Sequence, residues 1–290
     1  MKADKRFLRQ PKSFWANVRS LSQKLGYTEG GRIKVLTLPE IVKALESVNL
    51  SASHVVHRNG KPTKFGVILC DYFAHRAQVL NDFVRPRLMN KVKAKREFQR
   101  LRKKLSPNCP LPMNKQKDDK RAPAYLTGII NMLIEAGTKD HTCDYDPRQL
   151  TAITRSGAPV RTLARRVDGA FPGSVNPVAI WEIKEYYYTT TFGSRVADGV
   201  YETLLDGMEL EELLEHEKID VKHCLMIDDY FTWWDCGRSY LCRIIDMLHM
   251  GYVDEVLFGY EVIERLPTIV KEWVAVLKAR PAEPSRGGRP

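Results

Sequence analysis

Two periods of apolar spacing alternate along the second half of this chain, and the points where one gives way to the other mark its elements. Residues 178–187 read Val-Ala-Ile-Trp-Glu-Ile-Lys-Glu-Tyr-Tyr, an apolar strand interrupted by two acids and a lysine. A strand turns successive side chains to opposite faces, so Glu182, Lys184 and Tyr186 share one face while Trp181, Ile183 and Glu185 share the other. Ahead of it, Leu126, Ile129, Ile130, Leu133 and Ile134 recur at helical spacing within residues 124–137, with Gly137 as a C-terminal stop. Behind it, Val196, Val200 and Leu204 recur every fourth residue and predict a helix over 194–205 with one face packed on a sheet. A buried strand at 223–228, a helix at 238–250 closed by Gly251, and a strand at 253–260 follow.

The first half reads as helices. Thr37-Leu38-Pro39-Glu40 has the spacing of a capping box with proline in the first turn, and Ile41, Val42, Leu45 and Val48 continue an amphipathic helix. Residues 50–56 predict a turn and a second short element. That pair fits either a helix-turn-helix with Ser51, Ser53, His54 and Arg58 near a DNA groove, or plain three-helix packing. Asn59-Gly60 marks a turn, and residues 65–89 suggest a long helix broken at Pro86. Over residues 90–105, Ala94, Phe98, Leu101 and Leu105 form a narrow apolar seam. The other faces carry eight cations, among them Lys95, Arg96, Arg100, Arg102 and Lys103, against Glu97 as the single anion. A solvated face usually balances its charges; this one is built to meet phosphate.

Charge divides the chain more sharply than its total of +11 suggests. Residues 1–123 hold 28 Lys/Arg against 9 Asp/Glu, whereas residues 124–290 hold 18 against 26. A polyanion drawn to the basic half gains affinity by releasing counterions. Pro107, Pro110 and Pro112 end the basic helix, and the polar stretch 114–121, with Lys115 and Lys117, reads as an exposed linker or a loop ordered by DNA. The predicted organisation is a basic, mainly helical DNA-binding domain at 1–121, an α/β domain with a mixed sheet at 122–280, and a disordered tail at 281–290. The 43% apolar content suffices for one large core or two smaller ones. No apolar run of membrane-spanning length or secretion signal is present, and six cysteines without a Cys-x-x-Cys pair argue for a reducing cytoplasm and against structural zinc. There is no Gly-x-x-x-x-Gly-Lys-Ser/Thr motif for a nucleotide cofactor.

The chemistry centres on Asp168, in Arg165-Arg166-Val167-Asp168-Gly169, and on Glu182 and Lys184. Two carboxylates on neighbouring strands can hold a hard divalent cation through oxygen, and a lysine beside them can stabilise charge developing on a phosphate. A Glu-x-Lys pair also fits the edge of a surface strand, but the upstream acid and the apolar strand favour a site. This pattern resembles the PD-(D/E)XK superfamily of restriction-endonuclease-like nucleases, with Val167 standing where the superfamily's name has proline. The resemblance spans residues 122–260 and covers the order helix, hairpin, helix, strand, helix, strand.

The resemblance implies a restriction-endonuclease-like core and hydrolysis of a DNA phosphodiester with Mg2+. Asp168, Glu182 and the backbone oxygen of Ile183 would hold the metal, Glu135 at the end of the preceding helix would join them, and Lys184 would act on the attacking water. Tyr186, Thr189 and Arg195 follow the strand and supply groups for phosphates or base edges; Glu202 is a further candidate. A self-contained core beside a basic domain looks like a type II restriction enzyme, a sequence-specific endonuclease acting on double-stranded DNA as a homodimer, without membrane or nucleotide cofactor. The rival readings are a repair, recombination or mobile-element nuclease of the same fold, and a non-catalytic DNA-binding regulator.

Overall fold

In the computed structural model, residues 1–8, 10–114, 122–188 and 193–280 are described. The chain opens with helices α1 (Lys5–Leu8) and α2 (Lys12–Leu25), a small antiparallel pair β1 (Thr28–Glu29) and β2 (Arg32–Ile33), then α3 (Leu38–Ser47) and α4 (Lys64–Gln78). The Thr37/Glu40 capping box forms: the Thr37 N–H donates to Glu40 Oε2 at 2.8 Å. Phe14, Trp15, Val18, Ile41, Leu45, Leu69 and Phe73 close these helices around one apolar cluster. The second helix of a helix-turn-helix does not form. Residues 53–55 turn, Val56 bridges to Pro62, and His54 is held by Asn17 at 2.9 Å, so the segment is spent on local packing. The predicted 65–89 helix is α4, a π-helical stretch at Val79–Val84, and the short α5 (Arg85–Arg87) containing Pro86.

Next come α6 (Lys91–Leu105) and α7 (Tyr125–Thr138), the hairpin β3 (Ala152–Arg155) and β4 (Ala158–Thr162), then β5 (Gly169–Phe171) and β6 (Ala179–Glu185). The chain continues through α8 (Ser194–Glu217), β7 (Lys222–Asp228), α9 (Arg238–Met250), β8 (Glu255–Phe258) and α10 (Glu261–Ala279). The central sheet runs β5-β6-β7-β8, with β5 antiparallel to β6 and the other three strands parallel. The result is a mixed-sheet α+β architecture. Parallel strands need crossovers, and α8 and α9 supply them on one face of the sheet. There Val196, Val200, Ile244 and Leu248 pack against Leu225, Ile227, Val256 and Phe258.

The other face is covered by α6, α7 and α10. Trp181 of β6 stacks on Trp273 of α10 with ring centroids 5.7 Å apart and planes 8° from parallel. Gly169, paired with Trp181 across β5 and β6, leaves the space the indole fills; a Cβ there would lie 2.1 Å from the ring. The basic helix α6 contributes Ala94, Phe98 and Leu101 to the same apolar cluster as Ile129, Ile130 and Trp181. It therefore packs as part of the sheet's own helical layer, on the near side of the expected boundary at residue 121.

The N-terminal helices are fastened to this core by buried charge. Arg76 of α4 reaches Asp246 of α9 at 3.1 Å, and Tyr72 donates to the same carboxylate. His75 and His249 meet at 3.2 Å alongside. Among the described residues no helix is long and apolar enough to cross a membrane. The six cysteines are all free thiols. The expected tail at 281–290 lies outside the described residues.

Candidate active site

The site forms where β5 and β6 part. Their pairing covers only Gly169–Trp181 to Phe171–Ala179, so Asp168 sits at the fork, opposite the stretch of β6 that has lost its neighbour. Its Oδ2 accepts from the Ile183 N–H at 2.7 Å, replacing the missing strand, and its own N–H donates to Glu182 Oε1 at 3.3 Å. Lys184, two residues along the same face, donates from Nζ to Glu182 Oε2 at 2.8 Å. Gly199 of α8 makes room for that lysine, since a Cβ there would stand 3.0 Å from Lys184 Cδ. The fold thus brings Asp168, Glu182 and Lys184 together.

Two more acids and one cation complete the cluster. Arg165, in the coil before β5, lies 2.9 Å from Glu182, 2.6 Å from Asp206 and 3.3 Å from Glu202. Lys184 also reaches Glu202 at 3.3 Å. Burial alone would raise Glu182, but Lys184 and Arg165 beside it hold its carboxyl below the usual value. Burial would lower Lys184, yet Glu182 and Asp168 keep its ammonium above its ordinary value and charged. Asp168 goes the other way: burial first, and the charge of Glu182 second, push it up to about 6. Asp206 is raised to about 7, by burial and then by Glu182.

These contacts decide what each residue can offer a metal. Both oxygens of Glu182 are engaged, by Arg165, Lys184 and the Asp168 N–H, so in this arrangement it presents no free lone pair to an ion. Asp168 keeps Oδ1 clear of hydrogen bonds among the described residues, and with Ile183 it lines a groove of about 340 Å³ on the α7 side of the sheet. Its oxygen donors suit a hard divalent cation. Among the described residues no group of three or more His, Cys, Asp or Glu side chains converges as a ligand set.

Glu135 does not join the groove. Its carboxylate accepts from the Asn108 N–H at 3.1 Å, at the far end of α7, and the α7 residues facing Asp168 are Thr127 and Asn131. Glu185, on the face opposite Lys184, is not singled out by the sequence pattern and lines the groove too. Its Oε2 accepts from the Thr127 N–H and hydroxyl at 3.0 and 3.1 Å at the start of α7, and burial pushes it up to about 7. An acid at an inward position of an otherwise apolar strand is the signal that could have marked it.

The phosphate-facing candidates separate into bound and free. Arg96 and Arg100 both pair with Glu97, at 3.4 and 2.7 Å. Lys95, Arg102 and Lys103 are exposed and make no ion pair among the described residues. The first turn of α6 stands over the carboxyl ends of the strands: Lys91 Nζ is 4.1 Å from the Tyr188 ring centroid and Lys93 Nζ 5.4 Å from that of Tyr260. Tyr186 is anchored by donating to the Arg195 carbonyl at 3.1 Å, which leaves the exposed Arg195 side chain beside the site. Lys115, Lys117 and Thr189 lie outside the described residues.

Residues 89–273 match the family described as Domain of unknown function (DUF7687), and residues 1–83 match Domain of unknown function (DUF7690). No curated protein matches the chain, and no solved structure does.

Proposed function

We propose that this chain, which belongs to the DUF7687 family, is a metal-dependent DNA endonuclease built on a restriction-endonuclease-like core. The observation that carries the reading is the convergence of Asp168, Glu182 and Lys184 at the fork of β5 and β6. Asp168 would hold a divalent cation, Mg2+, which when bound lowers the pKa of water and offsets phosphate charge. Lys184 remains an ammonium and stands ready to stabilise a phosphorane oxygen. Glu182 fixes that ammonium in place, and Arg165 adds a second cation to the same face.

DNA is the polyanion that fits the rest of the surface. The first turn of α6 lies above the strand ends beside the site, and Lys95, Arg102 and Lys103 extend the basic surface along the helix. Lacking a nucleotide-binding motif, the chain reads as a type II restriction enzyme acting as a homodimer on double-stranded DNA in the cytoplasm. A repair, recombination or mobile-element nuclease shares the same chemistry. The second reading, a DNA-binding regulator without catalysis, draws on Arg165, which occupies three of the acids.

Incubation of the purified chain with plasmid DNA and Mg2+ separates these. Discrete fragments support restriction, and a smear supports a nonspecific nuclease. Intact DNA retarded in a gel supports the regulator.

A further inference from the structure

We propose that the groove walled by Asp168, Asn131 and Glu185 is a divalent-cation site, entered from the α7 side of β6 and independent of Glu182. The nuclease reading supplies the use of such an ion, and the proposal rests on it for that alone; the site itself is argued from the oxygens. Asn131 is 1% exposed, and its Nδ2 donates to the Pro110 carbonyl at 2.8 Å. A carbonyl only accepts, so that bond fixes the amide's orientation and turns Oδ1 away from Pro110, where it has no partner among the described residues. Glu185 lies at the N-terminus of α7: Thr127 satisfies Oε2 twice, the Tyr125 and Leu126 amides face the carboxyl, and the buried Oε1 has no hydrogen bond of its own among the described residues. Asp168 adds Oδ1.

Three oxygens that only accept therefore line one cavity, and no lysine or arginine lines it among the described residues. A buried acceptor without a donor is strongly disfavoured; Asn131 Oδ1 and Glu185 Oε1 are two such atoms, and with the open Oδ1 of the half-buried Asp168 on the same space they call for a cation. The opposite face of β6 is the contrast, since Arg165 and Lys184 already meet Glu182 there. When ionised, Asp168 and Glu185 with the neutral amide give a charge of −2, matched to a divalent ion; the third carboxylate lining the groove, the exposed Asp146, pairs with Arg148 at 3.0 Å. Magnesium takes one or two carboxylates and keeps several of its waters. A cavity of about 340 Å³ has room for them.

Mn2+ is the probe, titrated calorimetrically and by electron paramagnetic resonance into the EDTA-stripped full chain without DNA. The expected result is one site, with Glu185→Gln and Asn131→Ala each weakening it at least roughly tenfold and Glu182→Gln leaving it nearly unchanged. Glu185→Gln is conservative for folding, because the glutamine oxygen can keep accepting from Thr127, and Asn131→Ala tests the groove from another element. Thermal melts of each variant establish that it is folded. Loss of the ion in Glu182→Gln with full affinity in the other two overturns the groove and leaves the nuclease reading standing. No binding to the wild-type chain at millimolar Mn2+ also overturns it. Plasmid cleavage, read separately, reports on the nuclease assignment whichever way the titration falls.

Discussion

Lys184 and Glu182 stand two residues apart on one face of β6, and the ammonium meets the carboxylate at 2.8 Å with both side chains buried. Separating such a pair leaves one charge in a low-dielectric interior, so each partner holds the other in its ionised form. Lys184→Met, Glu182→Gln and Asp168→Asn are each expected to reduce plasmid cleavage by at least about 100-fold while retaining DNA binding in a gel shift. Full cleavage by a folded Lys184→Met protein would remove the lysine from the chemistry.

Arg165 is the cation that closes the cluster; its loss strands Asp206 and leaves Glu182 to Lys184 alone. Because the guanidinium is partly exposed, water can reach the acids, and Arg165→Leu is expected to destabilise by about 1–3 kcal/mol in urea unfolding. The better-enclosed Arg76–Asp246 pair should be worth more. Arg76→Leu is expected to lower stability by about 3–5 kcal/mol, most of which a second change, Asp246→Leu, should restore if the penalty comes from the unpaired carboxylate.

Along α6 the division between tied and free cations is testable by salt. Replacing Lys95, Arg102 and Lys103 with glutamine should flatten the dependence of log K on log salt by about 0.9 for each phosphate no longer neutralised. Arg96→Gln with Arg100→Gln should change it less, since Glu97 already neutralises part of their charge. Equal slopes for the two sets would mean that the Glu97 pairings do not persist on DNA.

Acidity should act on activity and stability in opposite directions. Asp168, at about 6, and Glu185, at about 7, must be ionised to hold a cation, so cleavage at limiting Mg2+ should fall as pH drops through 7 toward 5. Stability of the metal-free chain runs the other way. A carboxyl raised on folding binds its proton more tightly when folded, so stability increases as pH falls from about 7 toward the ordinary glutamate value of 4.5. In EDTA, melting temperatures of Glu185→Gln should vary less with pH over that window than those of the wild type.

The parts of this site visible in the sequence are those ruled by short-range periodicity. Alternation along one strand puts Glu182 beside Lys184, and the apolar spacing of α9 defines Arg238–Met250 to the residue. Arg165 is invisible to spacing because it enters from coil and acts on α8, 37 and 41 residues onward, at Glu202 and Asp206. Asn131 and Glu185 are hidden for a related reason: their meaning depends on where α7 begins relative to β6, which only the packing of Thr127 on Glu185 defines. Glu135 shows the converse error. A lone acid near a helix C-terminus suggests a task, and the loop at Asn108 supplies a local one. α10 carries Pro267 within it, and the half-exposed β3–β4 hairpin alternates weakly, so neither stands out from spacing alone.

The bond from the Ile183 N–H to Asp168 has a bearing on how an inactive protein should be made. Past Trp181, β6 has no strand partner on its β5 side among the described residues, and Asp168 answers for the Ile183 N–H there with its side chain. Alanine at 168 would erase an acid and also leave an unpaired strand edge, the kind of surface on which chains add to one another. A preparation that precipitated would then be mistaken for one that had lost its chemistry. Asparagine keeps an oxygen for Ile183 while discarding the charge, which makes Asp168→Asn the substitution for trapping an uncut DNA complex.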